Sequence, residues 1–298
     1  MTTKKPKSSA AFGLTTCLLS FFGLSISNAR MPASFLVPLA AELEPDKKVI
    51  YKKAGDRELE LHLFHPRNFQ PATDRRPVFL IIHGGGWTGG KPRKFYPIAK
   101  NFADLGMLGI SLQYRLLSTK EATTVFDCVK DGRSAIRYLR ANAKTLGIDA
   151  DKIVVSGGSA GGHVAVATAL FDQVNESSDD ISISCLPDAL VLLNPVIDTS
   201  EKGYGQEKIG DGWKELSPIN QVKANLPPTI IFHSTNDQVV PFDGAKKFTE
   251  RSQKLGNDCQ LVTHEGGRHG YFIFDEKLYQ TVIAKTEKFL KNKGFFAR

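Results

Sequence analysis

Cysteine is scarce in this chain of 298 residues: only Cys17, Cys128, Cys185 and Cys259. Four thiols spread so widely exclude a disulfide scaffold, and no Cys/His spacing fits a zinc site, so no metal is expected. Long apolar runs are also missing. The longest, from Ala10 to about Ile26, is broken by Thr15, Thr16 and Ser20. It falls short of the ~20 apolar residues that a membrane helix needs, so no stable membrane anchor is expected. There is no internal repeat and no low-complexity segment. No Lys/Arg stripe is interleaved with aromatics, which leaves nucleic-acid binding without support. What remains is an ordinary globular composition, 41% hydrophobic and 23% charged, at a length that suits one large domain.

The amino terminus has a different logic. Lys4, Lys5 and Lys7 precede the broken apolar stretch, and Ser27-Asn28-Ala29 supplies small residues after it. That is the layout of a secretory signal peptide over residues 1–29, with a second possible cleavage point near Ala40 or Ala41. A membrane anchor or a plain tail are the competing readings. Cys17 lacks the small residues before it that a lipid-bearing cysteine requires. Removal of 1–29 takes three lysines and no acids, so the formal charge falls from +8 to +5, and three cysteines remain. One bridge among them is compatible with export, and spacing does not choose which. The expected location is secreted or periplasmic.

From residue 45 to 298 the pattern alternates. Strands are expected at Val49–Lys52 and at Glu58–Phe64, where Leu59, Leu61 and Leu63 alternate with Glu58, Glu60 and His62. Val78–Ile82 is apolar throughout, as in a strand buried on both faces of a parallel sheet. Further strands are expected at Met107–Leu112, Ile153–Val155, Ala189–Leu193, Thr229–His233 and Gln260–His264. Helices fall between them, at Ala99–Leu105, Ala122–Leu146, Ser159 to about Phe171, Asp243–Leu255 and Glu276–Lys291. In Ala122–Leu146, Val125, Cys128, Val129, Ala135, Ile136, Leu139 and Ala143 share one face. Repeated β-α-β units imply a mostly parallel sheet with helices on both faces.

Four loops carry chemistry. Gly157-Gly158-Ser159-Ala160-Gly161, between a strand and a helix, is a G-x-S-x-G nucleophile elbow. Alone it is weak, since chance supplies the pattern in roughly one chain in ten of this length. His83-Gly84-Gly85-Gly86-Trp87 follows the strand Val78–Ile82. Its glycines let the backbone approach a substrate, and the amides of Gly85 and Gly86, with that of Ala160, are the expected oxyanion donors. His83 is read as a structural residue of the loop. Asp237, in Asn236-Asp237-Gln238-Val239-Val240-Pro241, can orient a histidine, with Asp198 as the fallback acid. His269, in Gly266-Gly267-Arg268-His269-Gly270-Tyr271, is the one histidine in a glycine-flanked loop after that acid, and is placed as general base. Each loop sits at the carboxyl end of an expected strand, where sites of open α/β sheets gather. Trp87 and Trp213 are candidate substrate contacts.

His83 to Trp87, Tyr114-Arg115-Leu116 and Gly157 to Gly162 resemble the hormone-sensitive-lipase-like carboxylesterases, over roughly residues 45 to 295. The resemblance implies an α/β-hydrolase fold and a triad of Ser159, Asp237 and His269 over an oxyanion hole of Gly85, Gly86 and Ala160. Two features depart from that family. Its Asp-Pro-Leu-x-Asp stretch is here Asp237-Gln238-Val239-Val240-Pro241, and no large cap fits before Val78. Both are more similar to compact secreted esterases of the acetylxylan and feruloyl type. The expectation is a serine ester hydrolase acting on short acyl groups of a small or polysaccharide substrate, with no cofactor. A prolyl-oligopeptidase-like peptidase shares Asp-x-x-Val-Pro but carries a propeller for which the chain has no room. A non-catalytic binding protein of this fold is disfavoured because every triad position is kept. Oligomeric state is not legible.

Overall fold

The computed structural model describes residues 1–3 and 33–296. The signal-peptide expectation therefore lies almost wholly outside the described residues. The packed body runs from Ala33 onward.

Eight strands form one sheet: β1 (Lys47–Ala54), β2 (Arg57–Phe64), β3 (Arg76–Ile82), β4 (Leu108–Leu112), β5 (Ile148–Gly158), β6 (Ala189–Leu193), β7 (Thr229–Ser234) and β8 (Cys259–His264). Their spatial order is β1-β2-β4-β3-β5-β6-β7-β8. β2 pairs antiparallel with both β1 and β4, and all other pairings are parallel. The sheet is thus the expected mostly parallel one.

The apolar run of β3 is explained by its two faces. Val78, Leu80 and Ile82 pack into a core beneath α3 (Val125–Ala141) and α5 (Ala160–Leu170). Phe79 and Ile81 enter the opposite core with α2 (Tyr96–Asp104) and α8 (Glu276–Asn292), where Phe79 stacks on Phe102. A strand covered twice has no polar positions to alternate with. α5 lies inside the protein, and all its residues are buried, which matches its small apolar sequence.

Element ends follow local chemistry. Thr124 and Asp127 form a capping box that starts α3 three residues after the pattern predicted. The expected single helix to Leu146 breaks at Asn142, whose side chain bonds back to the Tyr138 carbonyl at 2.8 Å. A one-turn α4 (Ala143–Leu146) follows and ends at Gly147, φ 66°. α1 (Leu36–Ala41) was not anticipated. It is held because Phe35 N–H and the Ser34 hydroxyl both donate to the Ile273 carbonyl, at 3.2 and 3.0 Å, and Leu36 and Ala40 are buried. Two further helices complete the set, α6 (Gln206–Ile209) and α7 (Phe242–Lys254).

Cys128, Cys185 and Cys259 are free and buried. Among the described residues, no helix is long and apolar enough to cross a membrane.

Candidate active site

The carboxyl ends of β3, β5, β7 and β8 lie at one edge of the sheet, and each delivers one functional loop. β5 ends at Gly158 and α5 begins at Ala160, so Ser159 alone makes the turn between them. Its φ is +57° and its ψ −122°, a conformation that costs a non-glycine residue about 1–3 kcal/mol. The turn is over-determined by backbone bonds. Ser159 N–H donates to the Leu193 carbonyl at 2.9 Å, and the Ser159 carbonyl accepts from His163 and Val196 at 3.1 and 3.2 Å. The hydroxyl is thereby lifted from the sheet edge over the amino end of α5.

The oxyanion loop is pressed against this elbow. A Cβ on Gly84 would lie 2.7 Å from the Gly158 carbonyl oxygen and 3.0 Å from the Ser159 Cβ, so only glycine allows the approach. Gly85 and Gly86 both have positive φ, 133° and 61°. Among the described residues, the N–H groups of Gly85, Gly86 and Ala160 donate to no protein acceptor. Three donors left open beside a nucleophile are what a developing oxyanion requires.

Behind the loop, His83 is buried and stacks on Tyr114 at 4.5 Å. Tyr114 donates its hydroxyl proton to the His83 carbonyl at 2.8 Å. Arg115, next in the chain, is clamped by Asp131 and by Glu176 at 2.7 Å, and Lys52 joins the same carboxylates. Tyr114 is therefore a brace for the oxyanion loop, and Arg115 anchors the segment that carries it. Burial, partly offset by the bond to Gly84, pushes His83 down to about 4, so it is neutral at pH 7 and structural as expected.

Asp237 and His269 meet directly, with Nδ1 of His269 2.7 Å from Oδ2 of Asp237. The other Asp237 oxygen accepts from the amides of Val239 and Val240, each at 2.9 Å. Burial pulls the Asp237 pKa upward. The His269 bond and the two backbone donors outweigh that, and the carboxyl is held below its usual 3.8. It is therefore ionised, as an orienting acid must be. The His269 loop is pinned by bonds from Asn236 N–H to the Gly266 carbonyl and from the Ser234 hydroxyl to the Arg268 carbonyl. No hydrogen bond closes Ser159 to His269 among the described residues. Catalytic bonds of this kind often tighten only around substrate. Asp198, the fallback acid, instead accepts from Ser200 N–H and is not part of the pair.

One residue was missed from the sequence. Asn194, just past β6, donates from Nδ2 to Asp237 Oδ2 at 3.0 Å, and its φ of 44° aims it there. The available signal was an asparagine ending an otherwise fully apolar strand. It is a positioning residue for the acid. Asn194→Ala is expected to lower kcat about tenfold with KM within twofold, the worth of one hydrogen bond to a charged group. Steady-state kinetics on p-nitrophenyl acetate would test this, and an unchanged kcat would remove the role.

Trp87 requires correction as a substrate contact. Its side chain is completely buried, edge-on to His163 at 5.1 Å and tilted against Tyr204 at 5.6 Å. It supports the oxyanion loop from below. His163, pushed down to about 4 by burial, donates from Nε2 to the Leu216 carbonyl at 2.7 Å and ties the 194–228 insertion to α5. Trp213 is half-buried in that insertion, and its carbonyl accepts from Thr199 at 2.7 Å.

Known proteins are similar to this chain in sequence and in fold. Residues 61–206 match the BD-FAE family model, and residues 189–294 match the prolyl oligopeptidase family. Thermogutta terrifontis esterase 2, phosphoramylated by tabun, is 40% identical with a TM-score of 0.80, over 85% of this chain and 96% of that one. A probable isoprenylcysteine alpha-carbonyl methylesterase of Arabidopsis thaliana is 27% identical over 75% of this chain and 50% of its own length. Endo-1,4-beta-xylanase B of Butyrivibrio fibrisolvens is 27% identical over 69% of this chain and 34% of its own. The chain thus spans half or less of these two curated relatives.

Proposed function

The chain belongs to the serine carboxylesterases of the α/β-hydrolase fold, and on that premise we propose that it removes short acyl groups, acetate above all, from exposed esters such as acetylated carbohydrate. The observation that carries this reading is the openness of the catalytic edge. Among the described residues before β3 there are only α1, β1, β2 and their loops. Among the described residues, the sole sizeable segment between strands on this side is the 194–228 insertion. An uncapped site grips a long acyl chain poorly, because little apolar surface of the chain leaves water. Thermogutta terrifontis esterase 2 has been solved with propionate and with butyrate bound, which supports a small acyl pocket. The similarity to a xylanase-named protein supports a carbohydrate alcohol.

The chemistry follows from the site. His269 takes the Ser159 proton as the hydroxyl attacks the ester carbonyl, and Asp237 holds the imidazole and its developing charge. Gly85, Gly86 and Ala160 receive the oxyanion. His269 returns the proton to the leaving alcohol, and water then repeats the cycle on the acyl-enzyme. No step calls on a cofactor.

Rates on p-nitrophenyl esters should be highest from acetate to butyrate and at least tenfold lower at octanoate, and acetylated xylan should release acetate. Faster cleavage of octanoate than of acetate would sink the short-acyl reading. The match to the prolyl oligopeptidase family spans Asp237 and His269 and favours one rival. Turnover of glycyl-prolyl p-nitroanilide without ester turnover would establish it.

We place the protein outside the cytoplasm, released by a cut after Ala29. A cut at Ala41 would strip α1, whose Leu36 and Ala40 are buried and whose flank bonds to Ile273. Intact-mass measurement of exported protein should find Arg30 first, and a first residue of Glu42 would contradict this.

A further inference from the structure

The insertion over the site brings a charged pair to the oxyanion loop, and the triad makes no use of it. Tyr204 lies on Trp87, and its N–H is fixed by the Asp198 carbonyl at 2.9 Å. Gly205 follows at φ 94°, so close that a Cβ there would stand 2.4 Å from the Trp87 ring. α6 then turns Lys208 back over Tyr204. Its ammonium donates to the Tyr204 hydroxyl oxygen at 2.6 Å and stands 4.6 Å from the ring centre. Both groups reach Gly86. A Cβ on Gly86 would lie 2.6 Å from the Tyr204 oxygen and 3.0 Å from Lys208 Nζ. The pair therefore touches one of the residues whose amide faces the reacting carbonyl.

The donor inventory shows what the pair lacks. An ammonium has three donors and no acceptor, and a phenol has one donor. Tyr204 accepts one of the Lys208 protons, so its own proton must point elsewhere. Among the described residues, that proton and the two other Lys208 protons meet no acceptor, and no carboxylate lies within 4 Å of Lys208 Nζ. Glu207, its neighbour in sequence, is exposed and does not pair with it. Three buried cations elsewhere have their donors met by the protein, Arg133 by Asn175 and backbone carbonyls and the other two by carboxylates. Lys52 has Asp131 and Glu176, and Arg137 has Asp179. Lys208 is half-buried, so water screens it less than a surface lysine.

We propose that Lys208, held by Tyr204, recognises a carboxylate on the substrate within a few ångströms of the scissile ester, so that the enzyme selects acid-bearing esters over neutral ones of the same shape. The inference rests on the esterase reading of the site and adds the charge of the substrate. An ammonium with free donors attracts such a group by charge and hydrogen bonding together.

Two near-isosteric pairs test it. Monomethyl succinate against methyl 4-methylpentanoate places the charge in the acyl part, and O-acetylglycolate against isobutyl acetate places it in the alcohol. At low ionic strength the wild type should favour the charged member of at least one pair about tenfold in kcat/KM, and 0.5 M NaCl should shrink that ratio. Lys208→Met should bring the ratio to within twofold of unity, Lys208→Arg should keep it, and Tyr204→Phe should weaken it about threefold. Lys202→Met, an exposed lysine of the same insertion, should leave both the ratio and the activity unchanged. No preference in either pair overturns the proposal. So does a preference that survives in Lys208→Met, or an equal fall on both members with the ratio intact. Failure of the wild type on all four esters would instead overturn the esterase reading.

Discussion

Ser159→Ala is expected to lower kcat on p-nitrophenyl acetate by about 100,000-fold while leaving KM and the melting temperature near wild type. The loss corresponds to about 7 kcal/mol of barrier at ~1.4 kcal/mol per tenfold. It is large because His269 and Asp237 have no function without a hydroxyl to deprotonate. The residue of activity comes from Gly85, Gly86 and Ala160, which still stabilise the oxyanion when water attacks. Stability should be untouched for a separate reason. The Ser159 hydroxyl makes no hydrogen bond among the described residues, and the bonds fixing the elbow all run through its backbone N–H and carbonyl. Alanine keeps the same Cβ at the same positive φ, so the strain neither grows nor relaxes. Single-turnover kinetics with a thermal melt would check both halves. A variant retaining more than about 1% of kcat would mean that another group performs the attack.

Acid is expected to unfold the protein well above the pH that titrates ordinary carboxylates. His83 and His163 are pushed from 6.5 down to about 4, each chiefly by burial and only partly compensated by a bond to a backbone carbonyl. Both stay neutral in the folded state while their unfolded counterparts take protons below pH 6.5. Their stabilisation is therefore complete above pH 6.5 and declines as pH falls to 4. The slope is about 1.4 kcal/mol per pH unit for each residue. At pH 5 the two together cost about 4 kcal/mol, a large share of a typical 5–15 kcal/mol. Glu176 extends the loss. Burial raises its pKa, but Lys52 and Arg115 outweigh this and bring it to about 2. Its contribution is present above 4.5 and disappears as pH falls toward 2. The melting temperature should drop by about 10 °C between pH 7 and pH 5. His163→Gln should shed about half of that pH dependence, because the amide can still donate to Leu216 but takes no proton. An identical slope in wild type and variant would refute the assignment.

The sequence was most informative where chemistry and periodicity coincide. Val78–Ile82 reads as a doubly covered strand because its residues serve two cores in alternation, and Ala189–Leu193 is found with unchanged ends. The order of oxyanion loop, serine, acid and base was legible because each loop keeps its glycines or its acid for a backbone or charge reason. The structure brings Asp237 and His269 within 2.7 Å across 32 residues. Trp87 was misjudged because a large aromatic beside a reactive loop looks the same in sequence whether it faces substrate or supports the loop. α1 was unforeseen because its six residues are held by Ile273, far along the chain.

By itself, then, the sequence determined the fold class and pointed to Ser159, Asp237 and His269 as the residues proposed to act together. These depend on local conformational needs and on strand and helix periods, both written in neighbouring residues. Only the tertiary structure decided that Tyr114 braces the oxyanion loop, that Asn194 aims the acid, and that Tyr204 and Lys208 reach Gly86. Those contacts join residues 31 to 122 positions apart, and what selects them is the packing of segments against one another, which no local pattern encodes.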